Sequence, residues 1–262
     1  MNAISTVSRL LLVTTFFLLY SCKEEEKITE MDLLFSSLHD DQAKWWRYHK
    51  TNIDLSSDFL PLGEDGDSIS KKAFFEALLT GEFIAIEKKS NAARDQYQLF
   101  KLTKESDGDI SYTISADSYR EYKHFTMEGQ QFPDFNLKDL DGKTYTKEAL
   151  LGKTLVVKTW FLNCKPCIEE MPQLNQLVEE YSENKDVVFL SLSLDTKTEL
   201  QKFLSERKFK YAVVPQQKAF IEDTLGFSIY PTHIIVEPSG KIRKVVNTAP
   251  EMIASLKSMN KG

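Results

Sequence analysis

The sequence predicts an α/β protein: a mixed sheet flanked by helices fills the C-terminal half, and a small α+β domain precedes it. Three observations carry this. The 262 residues are enough for two ordinary domains. From residue 154 onward, short runs rich in β-branched residues alternate with longer helical periods, as strands joined by helices do. The stretch 154–172 runs from a buried-strand pattern straight into Cys164-Lys-Pro-Cys167, where a helix should open.

Composition narrows the function classes. The chain is 42% hydrophobic and 27% charged, as soluble globular proteins are. Its net charge of -6 offers no basic stripe for phosphates, so nucleic acid is excluded as a partner. Of its three cysteines, Cys22 stands alone and Cys164 and Cys167 form a pair. The four histidines are scattered singly, so the four-ligand grouping of a zinc site is not expected, and neither metal nor cofactor is called for.

Residues 1–22 form a short polar start with Arg9, an apolar run from Leu10 to Tyr20, and Ser21-Cys22. The apolar run is about half the roughly 20 residues a spanning helix needs, so a signal peptide is expected. Leu19-Tyr20-Ser21-Cys22 resembles the lipobox of bacterial lipoproteins, which makes Cys22 the expected lipidated N-terminus. The alternative is an ordinary signal peptide with an incidental cysteine. Residues 23–30 are charged and apolar-poor, a solvated tether. Lys23 rather than Asp after the cysteine argues for the outer membrane, facing the periplasm, with surface exposure as the alternative.

The 31–126 region is expected to be the α+β domain, of unknown role. Residues 31–49 have helical spacing, and 68–79 form a second helix capped by Ser68 or Ser70 and followed by Gly81. Residues 82–87, 97–102 and 110–114 pattern as strands, the last two joined by a hairpin turn at Ser106-Asp-Gly-Asp109. Trp45, Trp46 and Tyr48 are expected in the core.

The 127–262 region carries the chemistry. A hairpin is expected around Asp139-Leu-Asp141-Gly142, then strands at 154–160, 187–194, 211–214, 232–236 and 241–246 and helices at 197–208, 218–225 and 250–259. Cys164 at the helix start faces unpaired N–H groups, which favours its thiolate as the attacking nucleophile. Cys167, one turn in, suits the resolving role. Glu170 lies about one turn beyond Cys167 on the same face, whereas Glu169 points elsewhere. Burial should raise the Glu170 carboxyl toward neutrality and make it the proton acceptor.

The stretch from about Gly129 to Gly262 resembles the thioredoxin-like envelope thiol–disulfide oxidoreductases of the TlpA/ResA-like group, within the redoxin/AhpC-TSA-like superfamily. The resemblance is carried by Phe132-Pro-Asp-Phe135, Asp141-Gly142-Lys143, Trp160, Cys164-Lys-Pro-Cys167, Glu170-Met-Pro172, Tyr230-Pro231-Thr232 and Pro238-Ser-Gly240. It implies a redox-active Cys164–Cys167 disulfide in place of a cofactor and Glu170 as the buried acid. It also implies a cis bond at Tyr230-Pro231 with Tyr230, Pro231 and Trp160 at the substrate. Envelope protein thiols and a membrane electron donor are the implied partners. Two departures stand out: Asn163 replaces the usual Trp, and Lys158 sits where thioredoxins proper carry a buried acid. The alternatives are a non-catalytic binding lipoprotein on the same scaffold and a thiol peroxidase, which lacks its Pro-x-x-x-Thr-x-x-Cys loop here.

Overall fold

A computed structural model describes residues 28–91 and 94–259. The signal segment, Cys22 and the tether up to residue 27 lie outside the described residues. Among the described residues one hydrophobic cluster fills the N-terminal half and three more line the C-terminal sheet and the cysteine site.

The N-terminal core gathers Trp45, Phe74, Phe75, Leu78, Ile84, Ile86, Ile110 and Ile114, all 0% exposed. The helical period expected over 31–49 is split into α1 (Glu30–Leu38) and α2 (Gln42–Asn52). Asp41 makes the break, accepting from the Lys44 N–H at 2.9 Å to cap α2. Helix α3 (Lys71–Leu79) is capped by Ser70, and Gly81 follows it at φ +72°, a conformation that costs side-chain-bearing residues. Strands β1 (Leu60–Leu62), β2 (Phe83–Glu87) and β3 (Gln96–Lys101) form one sheet in the order β1-β3-β2.

One expectation fails here. Residues 110–114 are not a strand but part of α4 (Gly108–Met127), and the expected hairpin turn is its N-terminal cap. Asp107 accepts from the Asp109 N–H at 2.9 Å. The buried positions Ile110, Ile114, Asp117, Ser118, Glu121 and His124 recur at three and four residues. The apolar–polar alternation over 110–114 was a short sample of this longer period. The buried stripe turns from apolar to polar midway, where α4 packs on the C-terminal sheet with one face while Tyr122 and Phe125 keep contact with the N-terminal core. Lys123 Nζ donates to the Gly226 carbonyl, His124 meets Phe227 edge-on at 5.6 Å, and Asn247 Nδ2 donates to Glu121 Oε1 at 2.8 Å.

The hairpin of β4 (Asn136–Lys138) and β5 (Thr144–Thr146) opens the C-terminal half, followed by the single-turn α5 (Lys147–Leu150). The five-stranded sheet has the order β10-β9-β6-β7-β8. Its members are β6 (Thr154–Trp160), β7 (Val187–Ser193), β8 (Ala212–Val214), β9 (Thr232–Val236) and β10 (Ile242–Val246). Strands β6, β7 and β8 run parallel, while β9 and β10 are antiparallel to their neighbours. Helices α6 (Lys165–Glu169), α7 (Met171–Glu180), α8 (Lys197–Glu206) and α9 (Ala249–Met259) supply the crossovers and cover. The expected helix at 218–225 is a single π-helical turn, Phe220–Thr224.

Alternation in β6 sorts the faces. Leu155 and Val157 enter one core with Leu190, Leu192 and Ile234. Val156 packs under α7 and α9 with Leu174 and Met252, and Trp160 packs with Met171 and Leu200. Lys158 lies between Val156 and Trp160 on that second face and is 0% exposed. Among the described residues, no helix is long and apolar enough to cross a membrane.

Candidate active site

The β6 strand delivers the chain to the sheet's C-terminal edge, where the loop at Phe161, Leu162 and Asn163 turns into α6. Asp195 anchors that loop, accepting from the Leu162 N–H at 2.9 Å and the Ser193 hydroxyl at 2.7 Å. Cys164 is the cap of α6, and Pro166 suits the first turn because its missing N–H would have had no helical partner. Cys164 and Cys167 are joined as a disulfide with Cα atoms 5.2 Å apart. The Cys167 N–H points at Cys164 Sγ from 3.3 Å, so an ionised Cys164 sulfur would be held by a backbone donor. Cys164 is 5% exposed and Cys167 is 0% exposed, a difference that leaves only the first within reach of a partner.

The Tyr230–Pro231 peptide is cis. Tyr230 meets Phe161 edge-on at 5.4 Å and packs on the cluster that holds both cysteines. The next residue, Thr232, is locked to β6 by its N–H donating to Thr159 Oγ1 at 3.1 Å. Trp160 was expected to meet substrate. It is 0% exposed and wedged against Phe203 and Phe209, so it floors the cysteine pair from inside and presents no outer surface.

Glu170 departs furthest from expectation. The helix does not continue through it: Pro172 lacks the N–H that would extend α6, and α7 starts anew at Met171. Glu170 stands in this joint, and three groups take its carboxylate. Lys158 Nζ donates to Oε2 at 2.5 Å, His233 Nε2 meets the same oxygen at 3.1 Å, and the Ala249 N–H at the head of α9 donates to Oε1 at 2.8 Å. Burial pushes the carboxyl up, but the His233 hydrogen bond and the charge of Lys158 outweigh it and hold the group at about 2. The expectation of a raised, near-neutral acid is therefore overturned: Glu170 is a carboxylate. Burial pushes Lys158 and His233 down, against the opposing pull of Glu170.

A carboxylate can only accept, so the Nε2 of a neutral His233 carries the proton and its lone pair sits on Nδ1. Glu169, by contrast, is exposed and 3.7 Å from Lys165 on the outer face, as its helical angle required. The sequence reading did not assign His233 or the α9 N-terminus. The available signals were a lysine inside an apolar strand and a histidine two residues past Pro231. Strand register pairs the two directly.

The chain is similar to known proteins over its C-terminal half. The AhpC/TSA family model matches residues 128–245. The thiol–disulfide oxidoreductase ResA of Bacillus cereus is 31% identical over 137 residues, covering 51% of this chain and 79% of that protein. The thioredoxin-like protein YneN of Bacillus subtilis is 32% identical over 121 residues, covering 45% of this chain and 71% of that protein. The crystal structure of the thioredoxin domain of a Bacteroides vulgatus thiol–disulfide oxidoreductase is 24% identical with a TM-score of 0.45, covering 50% of this chain and 96% of that one. The two sequence relatives, each more than 30% identical and covered over more than two thirds of its length, show the family: the chain belongs to the ResA-like thiol–disulfide oxidoreductases of the thioredoxin fold.

Proposed function

We propose that this oxidoreductase works in the bacterial cell envelope, reducing or exchanging disulfides of envelope proteins through Cys164 and Cys167. The observation that supports it most is the asymmetry of the pair: Cys164 caps a helix and keeps 5% of its surface, while Cys167 keeps none. The Cys164 thiolate attacks a substrate disulfide, forming a mixed disulfide and expelling one substrate thiolate. Cys167 then attacks Cys164 Sγ, closing the Cys164–Cys167 bond and releasing the second substrate thiolate. Two electrons pass to the substrate. A membrane electron donor returns the pair to the dithiol.

Tyr230 and Pro231 form the ledge beside Cys164 against which an extended substrate segment lies. Cys22 is the lipid-bearing residue, residues 23–30 the tether, 31–126 an α+β domain and 127–262 the redox domain. The outer membrane, periplasm side, is the site of action. This division falls at the end of α4, whose polar half packs on the redox sheet.

Insulin reduction by the chain carrying Cys22→Ser tests the reading. We expect turnover with the parent, none with Cys164→Ser, and accumulation of mixed disulfides with Cys167→Ser. No exchange by the parent, or undiminished exchange by Cys164→Ser, would sink it.

A further inference from the structure

Lys158 is a full charge placed in the middle of the central strand of a five-stranded sheet, 0% exposed, between two apolar residues. Such a residue is costly unless it is paired. Its register neighbours are Ser191 on β7 and His233 on β9, both 0% exposed, so three polar side chains form a row across adjacent strands. That row lies on the face carrying Trp160, whose ring packs in the same cluster as Cys164 and Cys167. Glu170 reaches down from the joint of α6 and α7 to meet two members of the row. The Ala249 N–H closes the arrangement from above.

We propose that Lys158 and His233 are positioning residues for the exchange reaction. They fix Glu170 in a charge-balanced Lys158–Glu170–His233 cluster beneath α6. This cluster, rather than a lone acid, sets how readily Cys167 gives up its proton. The inference rests on the oxidoreductase reading for its role in turnover, but not for its test.

The argument is electrostatic. The resolving step needs Cys167 as a thiolate in a place water does not reach. A lone carboxylate three residues away would oppose that second negative charge. With Lys158 bound to the same carboxylate, the cluster carries no net charge and its ammonium faces the active-site side of the sheet. The electrons still pass from Cys167 to Cys164 Sγ as the substrate sulfur departs. The proton that leaves Cys167 is matched by the one taken up by the departing substrate sulfur, which leaves as the thiol, so the step balances in atoms, electrons and charge.

His233 holds the carboxylate's second approach. Its Nδ1 has no hydrogen-bond partner among the described residues, which suits the lone-pair nitrogen of a ring whose other nitrogen donates. The other groups that face Glu170 are the first turn of α9 and Tyr211. The phenol of Tyr211 is pushed up by burial and by the Glu170 charge. Glu251 in the first turn of α9 is occupied with the Asn247 and Thr248 N–H groups at 3.1 Å each.

The test uses the chain with Cys22→Ser and Cys164→Ser, in which Cys167 is the sole thiol. Its thiolate is followed by ultraviolet absorbance from roughly pH 6 to 10. Against that parent, Lys158→Met should lower the thiolate fraction at a given pH about tenfold, and Glu170→Gln should raise it. The double variant, which removes both charges, should return near the parent and also serves as a folding control. Curves that superimpose, or single variants that shift the same way, would overturn the proposal.

With both cysteines restored, His233→Leu should distort the pH profile of insulin reduction, whereas His233→Gln, which keeps an N–H donor, should not. Equal profiles for both would remove His233 from the cluster. A parent that shows no insulin reduction would instead defeat the functional reading, and the thiolate titration would still judge the cluster.

Discussion

Two buried ionic clusters divide the molecule, and they bury charge in different ways. Beneath the cysteines, Lys158 and His233 are both 0% exposed and converge on one carboxylate oxygen of Glu170. Where α4 meets the redox sheet, His49 bonds Asp117 at 3.2 Å, and Arg120 bridges Asp117 and Glu121. There the Arg120 side chain keeps 25% of its surface, and His49, Asp117 and Glu121 line a cavity of about 440 Å³ with Thr248 and Glu251. Burial pushes Asp117 up, yet its hydrogen bond to His49 and the Arg120 charge hold it at about 2, just as Glu170 is held. In both places a histidine hydrogen bond lowers the carboxyl most, joined by a partly exposed guanidinium in one and by a buried ammonium in the other. Beneath the cysteines Lys158 and His233 have no access to water and meet the same carboxylate, so single substitutions there should be the more damaging.

The largest effect should follow Glu170→Leu, which strands Lys158 in the sheet. We expect a loss of about 3–5 kcal/mol in urea unfolding, mostly recovered in Lys158→Met/Glu170→Leu. A double variant as unstable as the single one would mean that packing rather than charge governs the site. Asp117→Asn should cost less, about 1–3 kcal/mol, because Arg120 can turn to solvent. It should leave Cys167 thiolate formation unchanged, and a shift there would break the contrast between the clusters.

Acid should unfold the protein in two windows. His124, pushed down to about 4 by burial, refuses a proton that the unfolded chain accepts below 6.5. Stability therefore falls from about pH 6.5 toward 4, at about 1.4 kcal/mol per pH unit for that group. Glu170 and Asp117 act later. Their contribution is complete above their ordinary values of 4.5 and 3.8 and is lost as pH falls toward 2. Stability flat between pH 6.5 and 4 would place His124 outside this account. The smallest effect belongs to Lys165→Ala, which removes only an exposed 3.7 Å pair with Glu169 and should cost at most about 0.5 kcal/mol.

Much of the C-terminal architecture was legible because strand patterns and turn chemistry agree there. Residues 154–160 match β6, and the Cys164 cap follows directly. The N-terminal half misled at 110–114, where five residues alternate like a strand but belong to a 20-residue helix. A period of 3.6 cannot be told from a period of 2 over so short a window once polar residues enter the buried face. The Glu170 environment was hidden for another reason. Its partners come from β6, β9 and the head of α9, at sequence separations of 12, 63 and 79. Helical spacing alone pointed Glu170 at Cys167 and could not register that α6 ends at Glu169 and α7 begins at Met171, leaving Glu170 in the joint.

Carboxyl-carbon NMR of Glu170 through a pH titration of the folded protein tests the central claim most directly. The resonance should keep its ionised shift from neutrality down to pH 4, with Lys158→Met moving the titration upward. A wild-type Glu170 that titrates near neutrality would show a lone raised acid and contradict the Lys158–Glu170–His233 cluster.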